Sequence, residues 1–200
     1  MSAVSLYLKA AVVTSRAALP REIVLLSGGI DSATVLALAS QHGPTPTALF
    51  IDYGQAAASA EAAASFAVAS HYRSPYRTLT LSGLSFGSGE IRGRNIFLAN
   101  SALLAFEGSV GTVMIGIHAG TRYKDCSPSF VDLVQQSYDF HTGGAISFSA
   151  PLVGRLKADI VGIAAELGVP IEHTYSCETA NQPCETCLSC RDREDLLASA

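Results

Sequence analysis

Two hundred residues, 48% hydrophobic and 15% charged, suit one domain with at most a small appendage and are enough to bury a sizeable core. A net charge of −4 argues against a chain that grips nucleic acid nonspecifically, and no apolar run reaches the ~20 residues of a membrane span. Residues 1–22 hold an apolar patch (Val4, Leu6, Leu8, Ala10 to Val13) interrupted by Lys9 and followed by Arg16. This lacks the basic start and clean apolar block of a signal peptide, so a short N-terminal strand or extension and a cytoplasmic protein are expected. Ile23 to Leu26 read as a buried strand, the turn Ser27–Ser32 follows, and Val35, Leu36, Leu38 and Ala39 open an amphipathic helix. After the turn His42–Pro46 comes a second buried strand, Thr47 to Ile51, ending in Asp52-Tyr53-Gly54-Gln55. Ser59 to Ser70 reads as an alanine-rich helix, Tyr76 to Leu81 as a strand, and Ser82 to Gly93 as a flexible Gly/Ser loop. A helix over Asn95–Glu107, a strand over Thr112–Ile117, a helix over Pro128–Tyr138, a short strand at Ile146–Phe148 and a helix over Lys157–Leu167 complete the series. Pro128 suits a first turn, and Gly168 with Pro170 closes the last helix. This alternation predicts an α/β fold: an open parallel sheet with helices on both faces, over residues 23–170, followed by a small C-terminal segment, 171–200.

The stretch Ser27-Gly28-Gly29-Ile30-Asp31-Ser32 carries the strongest chemical signal. A strand, a glycine turn and a helix start gather backbone N–H groups and a helix N-terminus around one point, which binds anions. Two glycines let the backbone approach a phosphate without a Cβ in the way. Ser27 and Ser32 add hydroxyls, and Asp31 can cap the helix or help hold Mg²⁺. The chain has neither GxxxxGK[ST] nor GxGxxG, which sets aside the lysine-bearing nucleotide loop and the dinucleotide fold.

The tail, Cys177 to Cys190, spaces its thiols as C-x6-C-x2-C-x2-C. Two residues between thiolates bring both sulfurs onto one ion, and four sulfurs close a tetrahedral structural Zn²⁺ site on Cys177, Cys184, Cys187 and Cys190. An iron–sulfur cluster is the rival occupant. Cys126 stands apart and reads as a buried thiol, and His173 adjoins the cluster without being needed by it.

The hexapeptide resembles the pyrophosphate loop of the PP-loop ATP pyrophosphatases, which grip ATP by its β- and γ-phosphates and split it at the α-phosphate. With the four-cysteine tail, the chain resembles the 7-cyano-7-deazaguanine synthases, the QueC family. The matching pieces run from residue 23 to 191: Ser27–Ser32, Ile51-Asp52-Tyr53-Gly54-Gln55, Gly93-Arg94-Asn95, Gly116, Tyr123, Asp125-Cys126, Phe130, Pro151, Lys157, and Ser176-Cys177 through Arg191. The resemblance implies an AMP-generating, C–N bond-forming ligase that uses ATP and Mg²⁺. It adenylates the carboxylate of 7-carboxy-7-deazaguanine, ammonia attacks to give the amide, and a second ATP drives dehydration to the nitrile. On this resemblance Ser27, Gly28, Gly29, Asp31, Ser32 and Lys157 carry catalysis. Leu26, Ile30, Asp52, Tyr53, Gly54, Gln55, Arg94, Asn95, Gly116, Tyr123 and Asp125 bind ATP or substrate. Lys157 and Arg94 suit phosphate or carboxylate charge, and Asp125 suits the 2-amino and ring N–H of a guanine-like base.

Two departures bear on the acceptor. Ala56-Ala57 stand where the family usually has Arg-His, and the stretch Gly120–Ser127 and the loop before Gly93 are short. QueC-like proteins of bacterial antiviral operons are thought to join a deazaguanine to an amine of a partner protein, and a stripped loop leaves room for such a macromolecular amine in place of ammonia. A complex with such a modified partner is open on the same grounds, and residues 1–20, outside the resemblance, leave a homodimer contact open. A non-catalytic nucleotide-binding subunit is the reading from another class. Other PP-loop enzymes, a tRNA thiolase or NAD synthetase, fit less well, since Cys126 is the one cysteine outside the cluster and the chain lacks a basic RNA-binding face.

Overall fold

The computed structural model describes residues 22–41, 43–87, 89–106 and 110–198, with side chains as far as residue 194. The expected extension over residues 1–21 and the expected helix end at Glu107 lie outside the described residues. Five strands pair in parallel in the spatial order β3-β2-β1-β4-β5: β1 (Glu22–Leu25), β2 (Thr47–Asp52), β3 (Tyr76–Thr80), β4 (Gly111–Met114) and β5 (Ile146–Ser149). Among the described residues the helices are α1 (Ile30–Ser40), α2 (Ala58–His71), α3 (Arg94–Ala105), α4 (Pro128–Thr142), α5 (Lys157–Glu166) and α6 (Leu188–Ala198), with a short 3-10 turn at Ile171–His173.

Period-2 alternation of side chains divides the core into two layers. Ile23 and Leu25 face one side with Leu49, Ile51 and Val113, covered by α3 and α4 through Ala99, Ala102, Phe106, Val134 and Tyr138. Val24, Leu26 and Ala48 face the other, against Val35 and Leu36 of α1, Val68 and Ala69 of α2, and Ile160 and Ala164 of α5. Burial on both faces is why the central strands read as unbroken apolar runs. The sheet therefore has the expected class, parallel with helices on both faces.

Several boundaries differ for physical reasons. Glu22 belongs to β1 rather than to an extension, because it pairs with Thr112. Leu26 leaves the strand, though its N–H still donates to Leu49 O at 2.9 Å. Helix α1 is buried almost all round rather than amphipathic: Ile30 and Ser32 through Ala37 are all enclosed. Thr34 tolerates this by donating to Ile30 O at 2.8 Å. The fourth strand ends at Met114, not Ile117. Beyond it Gly116 presses so close to the start of α1 that a Cβ would lie 2.8 Å from Ser32 N. Helix α6 was not foreseen at all.

Tyr138 is fully buried and its hydroxyl donates to Ala99 O at 2.5 Å, tying α4 to α3. Burial also raises its phenol pKa, keeping it a neutral donor. Tyr138→Phe keeps the ring packing and removes this bond, so it is expected to lower unfolding stability by about 1 kcal/mol in a denaturant titration. A change below about 0.3 kcal/mol would show that the hydroxyl contributes nothing net.

Candidate active site

The strand order reverses between β1 and β4, and the crevice beyond their carboxyl ends is the natural ligand position in such a sheet. The loop Ser27–Ser32 crosses there. Gly28 has φ +84, and a Cβ on it would meet Glu61 O and Ser65 N of α2, each at 2.8 Å. The Ser27 and Ser32 hydroxyls lie 3.1 Å apart, and Ser32 Oγ donates to Gly29 O at 3.0 Å. No side chain caps α1, whose N-cap is Gly29. Its first-turn N–H groups are therefore left for an anion. Gly28→Ala and Gly116→Ala are each expected to weaken nucleotide binding by at least ~10-fold in calorimetry, since each methyl would displace backbone that shapes the loop. Unchanged binding would show that the loop yields freely.

Asp31, in the first turn of α1, does not cap the helix. Its Oδ1 is 2.6 Å from Lys157 Nζ at the start of α5, and its Oδ2 is 3.6 Å from His118 Nε2. Gly120 N–H donates to His118 Nδ1 at 3.1 Å, so the ring proton sits on Nε2, facing Asp31. Burial lowers the His118 pKa and favours the neutral ring, outweighing the opposite pull of the Asp31 carboxylate.

The end of β2 forms the next wall. Asp52 turns inward on its own backbone, Oδ1 accepting Gly54 N–H at 3.0 Å. Gly54 packs against Leu84, where a Cβ would lie 2.2 Å from the carbonyl oxygen. Gln55 Oε1 accepts Tyr53 N–H at 2.9 Å, while its Nε2 donates to Glu61 Oε2 at 2.7 Å and to Ile51 O at 3.3 Å. The Tyr53 ring meets Phe86 of the Gly/Ser loop at a tilt and Phe97 of α3 edge to face. Burial raises the pKa of both Tyr53 and Glu61.

These groups surround a cavity of ≈ 270 Å³. Of the residues singled out in the sequence, Leu26, Ser27, Gly29, Ile30, Asp31 and Ser32 line it from the loop side. Tyr53, Gln55, Arg94, Asn95, Gly116 and Lys157 line it from the other walls. Gly28, Asp52 and Gly54 shape its backbone from behind. Tyr123 and Asp125 are not brought to it; they lie in the turn before α4, Tyr123 exposed and Asp125 half-buried.

The C-terminal segment supplies a wall that the sequence did not suggest. Tyr175 N–H donates to Gly28 O at 2.8 Å, and Asn181 Oδ1 accepts Ala60 N–H, in the first turn of α2, at 3.1 Å. Arg193 of α6 donates to Thr174 Oγ1 and, at 2.9 Å, to Ile171 O. Tyr175, Ser176, Glu178, Ser189, Asp192 and Arg193 all line the cavity. Charged and hydroxyl residues flanking the cysteines were the available signal. The Sγ atoms of Cys177, Cys184, Cys187 and Cys190 lie within 4.8 Å of one another. A tetrahedral ion with bonds of about 2.3 Å needs sulfurs about 3.8 Å apart, so this set fits zinc. His173 stands outside the group, and Cys126 is a half-buried free thiol whose pKa is raised by burial.

The chain matches the family profile described as "Queuosine biosynthesis protein QueC" over residues 21–91 and 87–200. It is 34% identical over 209 residues to the 7-cyano-7-deazaguanine synthase of Synechococcus sp. (strain CC9902), covering 89% of this chain and 92% of that protein. It is likewise 34% identical over 210 residues to the synthase of Aquifex aeolicus (strain VF5), covering 88% of this chain and 95% of that one. Among solved structures it is similar to NMN synthetase from Francisella tularensis, with a TM-score of 0.50 and 19% identity over 91% of this chain and 78% of that chain, a likeness of fold.

Proposed function

The chain belongs to the QueC family, and from that membership we propose that it converts 7-carboxy-7-deazaguanine, ATP and ammonia into 7-cyano-7-deazaguanine. The observation that carries the reading is the meeting, in one cavity, of an uncapped helix N-terminus, a side-chain-free glycine loop and the cations Lys157 and Arg94. A carboxylate is a poor electrophile because its oxygen leaves badly. Transfer to AMP cures this: the substrate oxygen attacks the α-phosphorus and pyrophosphate departs. Charge grows on the departing pyrophosphate in the transition state, where the loop N–H groups and Lys157 stabilise it. Ammonia then attacks the acyl carbon, AMP leaves with the oxygen, and a proton is lost to give the primary amide. The amide oxygen attacks a second ATP in the same way, and loss of AMP with two protons from nitrogen leaves the nitrile.

Each residue has a role in this scheme. Ser27 through Ser32 hold the β- and γ-phosphates, and Arg94 and Asn95 meet the substrate from α3. Asp31 offers the carboxylate that a Mg²⁺ ion carried on the triphosphate would take as a hard oxygen ligand, the ion supplying further charge neutralisation. Cys177, Cys184, Cys187 and Cys190 would hold a zinc ion, which would tie the segment 171–198 to the domain formed by residues 23–170. Substrate labelled with ¹⁸O in its carboxylate tests the scheme. With both carboxylate oxygens labelled, each AMP released is expected to carry one ¹⁸O atom, detected by mass; unlabelled AMP, or ADP as the product, would contradict it.

A further inference from the structure

Glu61 lies in the alanine-rich first half of α2, where an acid would ordinarily point to water. Here it lines the cavity, half-buried. Gln55 Nε2 fixes its Oε2 at 2.7 Å, and Gln55 is itself locked by Tyr53 N–H at 2.9 Å and by Ile51 O. Among the described residues no cation lies within ion-pair distance of Glu61, and its Oε1 has no hydrogen-bond partner. Arg94 and Lys157 share the cavity without reaching ion-pair distance, so Gln55 holds one oxygen of Glu61 while the other is left for a donor carried by a bound molecule. A carboxylate matches two neighbouring N–H donors in one plane. A guanine-type ring presents that pair on one edge, as N1–H and the 2-amino group. Adenine presents a donor beside an acceptor, which a carboxylate satisfies only by half. Asp125, the residue the sequence offered for this task, does not line the cavity.

We propose that Glu61 is the specificity-determining residue that reads the N1–H and 2-amino edge of the 7-deazaguanine ring, with Gln55 as the positioning residue that aims it. This rests on the functional reading above and names the group that selects its substrate. Both carboxylate oxygens take part: Oε1 takes one ring donor, and Oε2 shares its remaining lone pair with the other.

The test is calorimetric binding to the zinc-loaded protein of three compounds: 7-carboxy-7-deazaguanine, its analogue lacking the 2-amino group, and α,β-methylene-ATP. The wild type is expected to bind the analogue at least ~10-fold more weakly than the parent compound. Glu61→Gln is expected to lose about 100-fold in affinity for the parent and to distinguish the two compounds by less than ~3-fold, while α,β-methylene-ATP binds within ~3-fold of wild type. Glu61→Asp, which keeps the carboxylate, is expected to bind both more weakly yet still prefer the parent. Parent affinity and discrimination unchanged in Glu61→Gln would overturn the assignment. So would selective loss of α,β-methylene-ATP binding, which would move Glu61 to the nucleotide. A wild type that binds α,β-methylene-ATP but neither deazaguanine would overturn the functional reading, and the assignment with it.

Discussion

Lys157→Met is expected to lower kcat for AMP formation by about 10²- to 10³-fold, with a smaller change in KM for ATP. Lys157 Nζ sits 2.6 Å from Asp31 Oδ1 at the cavity wall, facing the loop that the triphosphate would occupy. A fixed cation there matters most when negative charge moves onto the leaving pyrophosphate, so its removal should act on the transition state more than on ground-state binding. The variant carries a second handicap, since Asp31 loses its ion-pair partner beside the incoming phosphates. Because the two side chains are paired, Asp31→Asn and Lys157→Met are expected to be non-additive, the double variant losing less than the two single losses combined. Steady-state AMP release over a range of ATP concentrations separates the two parameters. A Lys157→Met enzyme within threefold of wild-type kcat would show that Lys157 serves only to pair Asp31.

Cys187→Ser is expected to yield protein without stoichiometric zinc and with ATP affinity reduced by ~10-fold or more. The cause is mechanical. Metal affinity rests on all four thiolates, and the energy of binding them is folding energy for the segment that carries them. That segment donates Tyr175 N–H to Gly28 O and caps α2 through Asn181, so its release frees the loop proposed to hold phosphate. The five-stranded sheet keeps its own two-layered core. Limited proteolysis should then cut within 171–198 while the sheet resists, and metal analysis with calorimetry reads the rest. Zinc-free protein with full ATP affinity would mean that the wall holds without its ion.

What could be read from the sequence follows from where burial leaves a mark. Strands β1 and β2 and the loop between β1 and α1 were legible because double-sided burial forces unbroken apolar runs and because the loop needs glycine where α2 presses on it. The strand ending in Asp52 to Gln55 was equally plain, but not that Asp52 would spend its carboxylate on its own turn. Helix α6 was invisible because the contacts of its described side chains are polar: Cys190 in the thiol cluster, Ser189 on Glu178, and Arg193 on Thr174 Oγ1 and Ile171 O, none of which writes a 3.6-residue apolar stripe. Glu61 carries no signal in the sequence, because the Gln55 that holds it comes within reach only once the chain turns into α2. Tyr123 and Asp125 were proposed from the family pattern alone; the short turn before α4 leaves both outside the cavity.

The most direct measurement incubates the purified protein with ATP, Mg²⁺ and 7-carboxy-7-deazaguanine, with and without ammonia, following AMP and the mass of the product. The account predicts two AMP for each nitrile when ammonia is present, and no nitrile when it is withheld. AMP formed with ammonia present but no amide or nitrile would contradict ammonia as acceptor and turn attention to a protein amine. No AMP under either condition would contradict the carboxylate-activating chemistry assigned to the cavity.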